Sequence, residues 1–300
     1  MKAALITYKN SLNNKIFDTN KRDNTSRKFI YLKKNSRKYN IFLDTYDINR
    51  PEESVFSIHF DVHKNFIPSD KSKKNILIVR ESPIINKLNN KAKVYNKFDL
   101  VLTWNKELCD QKNIFWIGYG CSAEIKENDL QKIYDKKQRE ICSIISKKYR
   151  SGSNSLYKER VKALKFFNKT DFGVDLYGYG WEKRQFSGIL RPFNRIKFAK
   201  TFLYKPPVFY KGFAKSKSNI FNNYKFSLCF ENCKSSGYIT EKIFDSMFSF
   251  CIPIYNGCPY ISKDIDPNTF IDTRDFKSYK ELYKYLKGIS KDEYFNKMVK

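Results

Sequence analysis

The chain has 300 residues, with 58 Lys and Arg against 31 Asp and Glu, so its formal net charge is +27. Hydrophobic residues make up 41% of the sequence and aromatic residues 17%, which excludes a wholly disordered chain despite the charge. No apolar run approaches the roughly 18 residues of a membrane span, and the start of the sequence, Met1–Lys9, lacks the apolar stretch of a signal peptide. Seven cysteines without a Cys-x-x-Cys pair fit a reducing compartment, so we predict a cytoplasmic location.

The first half of the sequence alternates short apolar runs with polar, lysine-rich stretches. Several runs are apolar throughout, which is typical of strands that are covered on both faces. The stretches Thr25–Lys38 and Ile84–Asn96 between them predict helices, and the alternation favours a parallel α/β sheet. The predicted strands are Lys2–Tyr8, Asn40–Asp44, Val55–Phe60, Asn75–Val79, Asp99–Trp104 and Ile114–Gly118.

The second half begins with a charged stretch, Lys132–Lys148, which predicts a solvated helix face, and continues with a flexible connection at Arg150–Ser155. The alternation then restarts on both sides of a loop region at Asn194–Ser218. The predicted elements are helix Leu156–Phe167, strand Gly173–Tyr177, strand Tyr224–Phe230, helix Thr240–Phe250, strand Ile252–Tyr255 and helix Tyr279–Lys287. We therefore predict an α/β fold of two Rossmann-like lobes, residues 1–138 and 139–300, which face each other across a ligand-binding cleft.

One segment of the second half combines a strand, a short glycine-bearing loop and the start of a helix at Thr240. Such a loop lies at the carboxyl end of a parallel strand, and the N–H groups of the helix start favour an anion such as phosphate. Lys242 in the first turn opposes the helix dipole, which makes sense if it faces a diphosphate. Glu241 and Asn232 can then bond sugar or ribose hydroxyls, and Tyr238 can line the pocket. The alternative is an ordinary capped helix behind a core strand.

This segment, Phe226–Asp245, together with Ile252–Gly257, resembles the signature block of glycosyltransferase family 10, the α-1,3/1,4-fucosyltransferases. The block reads F-x-x-x-F-E-N-[SC]-x(3)-G-Y-[VI]-T-E-K-I-x-D-[AS] and then I-P-I-Y-x-G, and the chain matches its order and spacing. The family often has tryptophan where this chain has Asn256, so one wall of the pocket differs. Weaker similarities lie upstream at Glu81–Pro83, Val174–Trp181 and Phe209–Gly212.

The resemblance implies a GT-B fold and an inverting, metal-independent transfer of fucose from the donor GDP-fucose, with no other cofactor and no metal site. The residues that it places on the donor are Asn232, Tyr238, Glu241 and Lys242. It also implies a further basic residue that holds phosphate, and Lys211 is our first choice among several cations. Residues 1–138 would then form the acceptor side and residues 139–300 the donor side.

Glu81, in a Glu-Ser-Pro turn, matches the position of the family's proposed general base, although alone it would be an ordinary turn acid. A carboxylate there would take the proton of the acceptor hydroxyl, which is typically worth 10²–10⁴-fold in rate. Lys242 would stabilise the charge on the departing nucleotide in place of Mg²⁺.

The implied acceptor is an N-acetylglucosamine-containing glycan, such as a surface glycan or a lipopolysaccharide chain. The positive charge favours peripheral attachment to an anionic membrane, where lipid-linked acceptors lie. Two alternatives stay open: the same fold with another nucleotide sugar, and a basic nucleic-acid-binding protein. Against the second, the aromatic residues fall within strand patterns and no helix-turn-helix or zinc module is evident, so we expect no specific nucleic-acid partner.

Overall fold

The computed structural model of the chain describes residues 1–21, 23, 25–69, 72–110, 112–119, 129–148, 150, 152–184, 186, 188–196 and 204–299. Ser151 of the predicted connection and residues 197–203 of the predicted loop region lie outside the described residues. The chain divides into two compact units, Met1–Cys121 with Ser236–Tyr238, and Ser122–Ser235 with Ile239–Lys300. Among the described residues, no helix is both long enough and apolar enough to cross a membrane.

The first unit is built on a parallel sheet. Its strands are β1 (Lys2–Ile6), β2 (Phe42–Thr45), β3 (Phe56–Phe60), β4 (Lys74–Val79), β5 (Leu100–Thr103) and β6 (Ile114–Trp116). They lie in the order β2-β1-β3-β4-β5-β6, and each neighbouring pair is parallel. All six strands predicted from the apolar runs are thus confirmed. The chain order reverses between β1 and β3, and α/β sheets bind ligands beyond the carboxyl ends of the strands at such a point.

Two α-helices of the first unit bear on the predictions, α1 (Arg27–Ser36) and α2 (Ala92–Tyr95). The first confirms the predicted helix, whereas the second prediction is wrong in extent, because only four of its residues are α-helical. The reason is that asparagine side chains compete with the helical backbone. Asn86 accepts the Leu88 N–H at 3.1 Å, and Asn89 bonds to residues outside the segment.

The second unit also contains a parallel sheet. Its strands are β7 (Arg139–Ile144), β8 (Asp175–Tyr177), β9 (Tyr224–Phe230), β10 (Ile252–Asn256) and β11 (Ile271–Asp272). They lie in the order β11-β10-β9-β7-β8, so the order reverses between β9 and β7. The solvated helix face predicted within Lys132–Lys148 is confirmed only at residues 132–135, which are helical and mostly accessible to solvent, and strand β7 corrects the rest. Its buried Ile141 and Cys142 are flanked by charged residues, which hide the strand in the composition of the stretch.

Helices pack against this second sheet around a core that includes Phe167, Leu176, Phe226, Ile254 and Leu282. Within the described residues they are α3 (Leu130–Asp135), α4 (Tyr157–Phe167), α5 (Lys217–Phe221), α6 (Glu241–Met247), α7 (Tyr279–Gly288) and α8 (Lys291–Val299). Helices α4, α6 and α7 confirm predicted helices. Helix α5 begins inside the stretch predicted as a loop, and α8 was not expected. Both units are therefore parallel α/β lobes, as the sequence predicted.

Candidate active site

The signature block folds as a strand, a loop and a helix, in the order that the sequence predicts. Strand β9 is paired with a neighbour on each side, and almost all of its residues are buried, because it is apolar along most of its length. It ends at Phe230, next to the point where the strand order of the second sheet reverses. The residues that follow, from Glu231 onward, therefore lie at the preferred ligand edge of the sheet.

Glu231 is a buried carboxylate that organises this edge, and its side chain is 0% exposed. It accepts hydrogen bonds from the backbone N–H of Thr240 at 2.8 Å and from the Thr240 hydroxyl at 2.8 and 2.9 Å. Lys242 Nζ donates to it at 3.0 Å. The sequence suggested that the helix amides are free for a phosphate and that Lys242 is unfavourable without one. The structure corrects the second expectation, because Glu231 compensates the lysine, whereas the N–H that Glu231 accepts belongs to Thr240, the residue before the first helical one.

Lys242 is held by oxygen atoms on several sides, and its side chain is 18% exposed. Its Nζ also lies 2.7 Å from the Thr240 hydroxyl and 3.4 Å from Glu241 Oε1. Burial alone lowers the pKa of Lys242, but the carboxylates of Glu231 and Glu241 outweigh it, so that the pKa lies above its ordinary value. The ammonium group therefore carries its charge throughout the neutral range.

Arg160 is a second cation at this edge, and the sequence analysis missed it. It is buried in α4, and its Nη2 donates to the carbonyl oxygen of Phe230 at 2.6 Å and to Asn232 Oδ1 at 2.9 Å. Its positive charge acts on Lys242 and opposes the rise in the pKa of that lysine. The signal was present, because an arginine occupies the apolar stripe of a helix whose buried residues are Tyr157, Arg160, Ala163, Leu164 and Phe167.

Gly257, the glycine that ends the signature block, leaves room for Glu231. A Cβ atom at this position would lie 2.6 Å from Glu231 Cγ and 2.4 Å from the hydroxyl oxygen of Tyr255. Both contacts are closer than real Cβ atoms make, so a larger residue would push the carboxylate out of place. The structure therefore brings together Asn232, Glu241 and Lys242 of the predicted site and adds Glu231 and Arg160.

Tyr238, another predicted donor residue, lies in the segment Ser236–Tyr238 that groups with the first unit. Its buried ring packs edge-on against Trp104 of that unit, with the ring centroids 5.0 Å apart. Gly237 beside it has a φ of +77°, and a Cβ there would lie 2.2 Å from the Trp104 carbonyl oxygen. Only glycine satisfies both conditions. That Tyr238 lines the donor pocket stays a prediction.

Lys211, our first choice for the phosphate, lies elsewhere. Its Nζ is 3.3 Å from Asp175 Oδ1, and Arg139 Nη1 and the Tyr224 hydroxyl lie 2.5 and 2.7 Å from the other carboxylate oxygen. Asp175, Arg139 and Tyr224 are the first residues of β8, β7 and β9. Lys211 therefore lies at the amino edge of the second sheet, away from Lys242, and the structure does not bring the two together.

Glu81 follows β4, and a buried carboxylate, that of Asp61, fixes its turn. Asp61 Oδ1 accepts the backbone N–H groups of Arg80 and Glu81 at 2.8 and 2.9 Å, and the side-chain amide of Asn89 at 2.7 Å. The Tyr8 hydroxyl donates to its other oxygen at 2.9 Å. Asp61 has a φ of 65°, which is uncommon for a residue other than glycine, and it directly follows β3. The turn is thus held at the point where the first sheet reverses its strand order.

Tyr8 is the exposed member of this network, because it is 41% exposed and its ring packs edge-on against His63, with the ring centroids 4.9 Å apart. Burial raises the pKa of Tyr8, and the nearby carboxylates of Asp61 and Glu81 raise it further, so the phenol remains a proton donor. In the described part of the chain, no group of three or more His, Cys, Asp or Glu residues is arranged to hold a metal ion.

Comparison with known proteins identifies the family. Residues 134–297, more than half of the chain, match the model of the C-terminal domain of glycosyltransferase family 10 (fucosyltransferase). The chain belongs to this family. The match includes Lys242, Glu231 and Arg160, so the family-10 domain contains the whole cluster at the end of β9.

Curated relatives of this family-10 chain match shorter segments. An α-(1,3)-fucosyltransferase of Helicobacter pylori is 48% identical over 73 residues, which is 24% of this chain and 15% of that protein. An α-(1,4)-fucosyltransferase of Arabidopsis thaliana is 37% identical over 71 residues, or 24% of this chain and 18% of the relative. The chain thus matches less than a fifth of the length of these two relatives.

Solved structures with a similar fold cover the family-10 chain from end to end. A crystal structure of an α1,3-fucosyltransferase with GDP-fucose covers 100% of this chain and 81% of its own, with a TM-score of 0.60 and 20% identity. The phage T4 protein BGT in complex with UDP and Mn²⁺ covers 99% of this chain and 92% of its own, with a TM-score of 0.52 and 13% identity. These similarities confirm the predicted fold, which is the GT-B class with two Rossmann-like lobes.

Proposed function

We propose that this family-10 protein transfers fucose from GDP-fucose to an N-acetylglucosamine-containing glycan, with inversion at the anomeric carbon and without a metal ion. The observation that carries the proposal is the pair of cations, Lys242 and Arg160, at the carboxyl end of β9. They lie within the family-10 domain and where parallel sheets bind nucleotides. We assign donor binding to the second unit and proton transfer to the first.

The charges of the cluster suggest how a diphosphate would bind. Lys242 and Arg160 are balanced by Glu231 and Glu241, so the four side chains sum to zero before a ligand arrives. Glu231 is fully buried and cannot leave, whereas Glu241 is 35% exposed and lies 3.4 Å from the lysine. If Glu241 turns to bond ribose or sugar hydroxyls, the other three carry a net positive charge that favours a diphosphate. We assign the second phosphate contact to Arg160 rather than Lys211, because Asp175 engages Lys211 at the amino edge of the sheet.

Glu81 is the proposed base. The acceptor oxygen forms a bond to C1 of fucose as the bond from C1 to the phosphate oxygen breaks, and GDP departs with the electron pair. The hydroxyl proton passes to Glu81, whose turn Asp61 holds through two backbone N–H groups. Lys242 and Arg160 stabilise the negative charge that develops on GDP, which is the work that a divalent ion does elsewhere.

The proposed acceptor also implies a location, because lipid-linked glycans lie at a membrane surface. The net charge of +27 favours a surface that is anionic, such as a membrane with lipid-linked glycans. Attachment of this kind is peripheral and weakens with salt, because exposed charges are screened within about 10 Å at 0.1 M ionic strength.

A donor and acceptor screen tests the proposal. Isothermal titration in EDTA compares GDP-fucose, GDP-mannose and UDP-sugars, and transfer is then measured to a panel of β-galactosyl-N-acetylglucosamine acceptors. We expect GDP-fucose to bind best and turnover to persist in the chelator. Preference for a UDP-sugar would reject fucose as the transferred group, and activity that returns only with manganese would reject the metal-free mechanism. Tight, sequence-specific binding of nucleic acid at physiological salt, without turnover, would favour the other class of function.

A further inference from the structure

Two cations of the first unit contact the same two aromatic rings. Lys28 Nζ lies 5.6 Å from the centroid of the Phe29 ring and 4.6 Å from that of the Tyr119 ring. The guanidinium carbon of Arg80 lies 5.6 and 5.7 Å from the same two centroids. Lys28 also donates to the Tyr119 hydroxyl at 3.3 Å. Lys28, Arg80 and Tyr119 together are called the cationic cluster below.

The cationic cluster lies at the carboxyl edge of the first sheet, beside the proposed base. Arg80 directly follows β4 and precedes Glu81, and Tyr119 comes after the end of β6. Lys28 is in the first turn of α1, which contains no acidic residue and has no side-chain cap. The amide dipoles at the start of this ten-residue helix therefore add to the positive potential of the edge.

The hydrophobic core and the backbone hold the cationic cluster in place. The Phe29 ring is buried and packs edge-on against Phe60 of β3, with the ring centroids 4.6 Å apart. The backbone N–H of Arg80 is fixed by Asp61 at 2.8 Å. The three members of the cluster are nevertheless partly exposed, so a ligand can reach them. Cations that are positioned before a ligand arrives lose less freedom when it binds.

Among the described residues, no carboxylate forms an ion pair with Arg80, whose guanidinium group contacts the two rings. The neighbouring Glu81 faces another group, because its charge acts on the phenol of Tyr8 and raises the pKa of that tyrosine. Two like charges that share a pair of rings repel each other, and an anionic ligand between them would replace this repulsion by attraction. The arrangement therefore favours an anion at the cationic cluster.

We propose that the cationic cluster binds an acidic group of the acceptor, either a carboxylate or a phosphate. The inference rests on the proposed function, because it places this group next to Glu81, which takes the proton of the reacting hydroxyl. Arginine binds such a group through two parallel hydrogen bonds, and Lys28 and the Tyr119 hydroxyl supply further donors. Adjacent Cα atoms are about 3.8 Å apart, so the acidic group belongs to the sugar that reacts or to the one linked to it.

Matched disaccharide acceptors test this inference. All contain N-acetylglucosamine and differ only at C6 of the linked β-galactose, which carries a carboxylate, a phosphate or a neutral carboxamide. Transfer from GDP-fucose is measured as kcat/KM, and binding without a donor is measured by isothermal titration. We expect an acidic disaccharide to exceed the carboxamide by about tenfold or more in both measurements. The acid with the larger advantage identifies the group as carboxylate or phosphate.

Substitutions within the cationic cluster should remove the preference for an acid. Arg80→Met removes the charge and keeps an unbranched side chain, so the ratio of acidic to neutral acceptor should fall close to unity. Lys28→Met and Tyr119→Phe each remove one donor and should lower the ratio several-fold. Arg50→Met is the matched control, because this exposed arginine of the same unit lies ahead of β3, and it should leave the ratio unchanged.

Three results would overturn the inference. Equal kcat/KM for the acidic and neutral disaccharides would leave fucosyl transfer in place without any preference for an acid. An unchanged ratio in a folded Arg80→Met protein would place the acid elsewhere, and Lys28→Met decides the question if thermal unfolding shows that this protein does not fold. An equal loss of GDP affinity in Arg80→Met would assign the cations to the donor. Preferential binding of an acidic disaccharide without transfer of fucose would instead reject the proposed function and keep the site.

Discussion

Each unit places one buried carboxylate at the point where its strand order reverses, and the two differ in the groups that they bind. In the first unit, Asp61 accepts hydrogen bonds from two backbone N–H groups, a phenol and a side-chain amide, all of them neutral. In the second, Glu231 accepts from a threonine and from the ammonium group of Lys242. The same topological position thus has a net negative network in one sheet and a compensated ion pair in the other.

The difference shows how one fold supports opposite chemistries at equivalent edges. A carboxylate whose hydrogen-bond donors are all neutral keeps its negative charge uncompensated within the network, which suits a neighbouring base. The ion pair of Lys242 with Glu231, with Arg160 beside it, suits an anionic ligand. A small movement of the Glu241 side chain would leave a net positive charge there. The side chains that approach each carboxylate, rather than the fold, determine what each edge can bind.

The largest expected effect concerns Glu81, in the turn that Asp61 holds. Glu81→Gln keeps the shape of the side chain but cannot take a proton, so kcat should fall by about 10²–10⁴-fold. The affinity for GDP-fucose should not change, because the donor cluster lies in the other unit. Steady-state kinetics and titration of the donor check both parts, and substantial turnover by the variant would remove Glu81 from the role of base.

The next largest effect is expected from breaking the ion pair between Lys242 and Glu231. Lys242→Met should weaken GDP binding by about 100-fold, since it removes a charge-assisted contact. It should also lower the free energy of unfolding by up to about 3 kcal/mol, because Glu231 would stay buried without its cation.

The double variant Glu231→Gln with Lys242→Met separates these two losses. It should recover most of the stability, because no uncompensated charge remains, and none of the affinity. Urea unfolding and titration with GDP measure the two quantities. Recovery of GDP binding in the double variant would show that Lys242 acts only through Glu231.

A smaller effect tests Asp61 as a positioning residue. Asp61→Asn keeps one acceptor oxygen for the turn but weakens its bonds to the Arg80 and Glu81 N–H groups, so kcat should fall by about tenfold. The KM for the donor should stay the same. Tyr8→Phe removes only the phenol and should have a lesser effect on kcat. An equal loss in kcat and in donor affinity would indicate general unfolding of the edge instead.

Local patterns in the sequence predicted most strands and several residues of the candidate site. They did not predict which residues far apart in the sequence contact each other. Apolar runs predicted all six strands of the first sheet, and the spacing of the signature block predicted Asn232, Glu241 and Lys242. Strand β7 was missed because its apolar core is short and flanked by charges.

The contacts of the site that the sequence analysis missed join residues that are far apart in the sequence. Arg160 meets Asn232 across 72 residues, and Lys211 pairs with Asp175 across a sheet edge that no local pattern shows. Glu231 is part of the signature block, but its hydrogen bond with Lys242 forms only because the loop between the two residues folds back on β9. The period of a helix or strand predicts which nearby side chains lie on the same face of it. It does not predict these contacts, because their partners come together only after the strands have paired.

The last expected effect is a pH dependence of the stability of the first unit, which leaves the chemistry of both edges unchanged. His59 lies buried in β3, its Nε2 is 3.1 Å from Asn75 Oδ1, and burial lowers its pKa from 6.5 to about 4. The folded protein therefore keeps the ring neutral at pH 5, while the unfolded chain takes up a proton. Stability that is present above pH 6.5 is lost as the pH falls towards 4, by about 2 kcal/mol at pH 5.

His59→Gln isolates this term, because other titrating groups cancel when the two proteins are compared at the same pH. We expect the wild-type protein to lose about 2 kcal/mol more than the variant in urea unfolding between pH 7.5 and pH 5. Lys242 of the second unit has a raised pKa, so it stays protonated in both states over this range and should contribute nothing to the difference. An equal loss in both proteins would mean that acid acts on the carboxylate networks, and the contrast between the two edges would then rest on Asp61 and Glu231 alone.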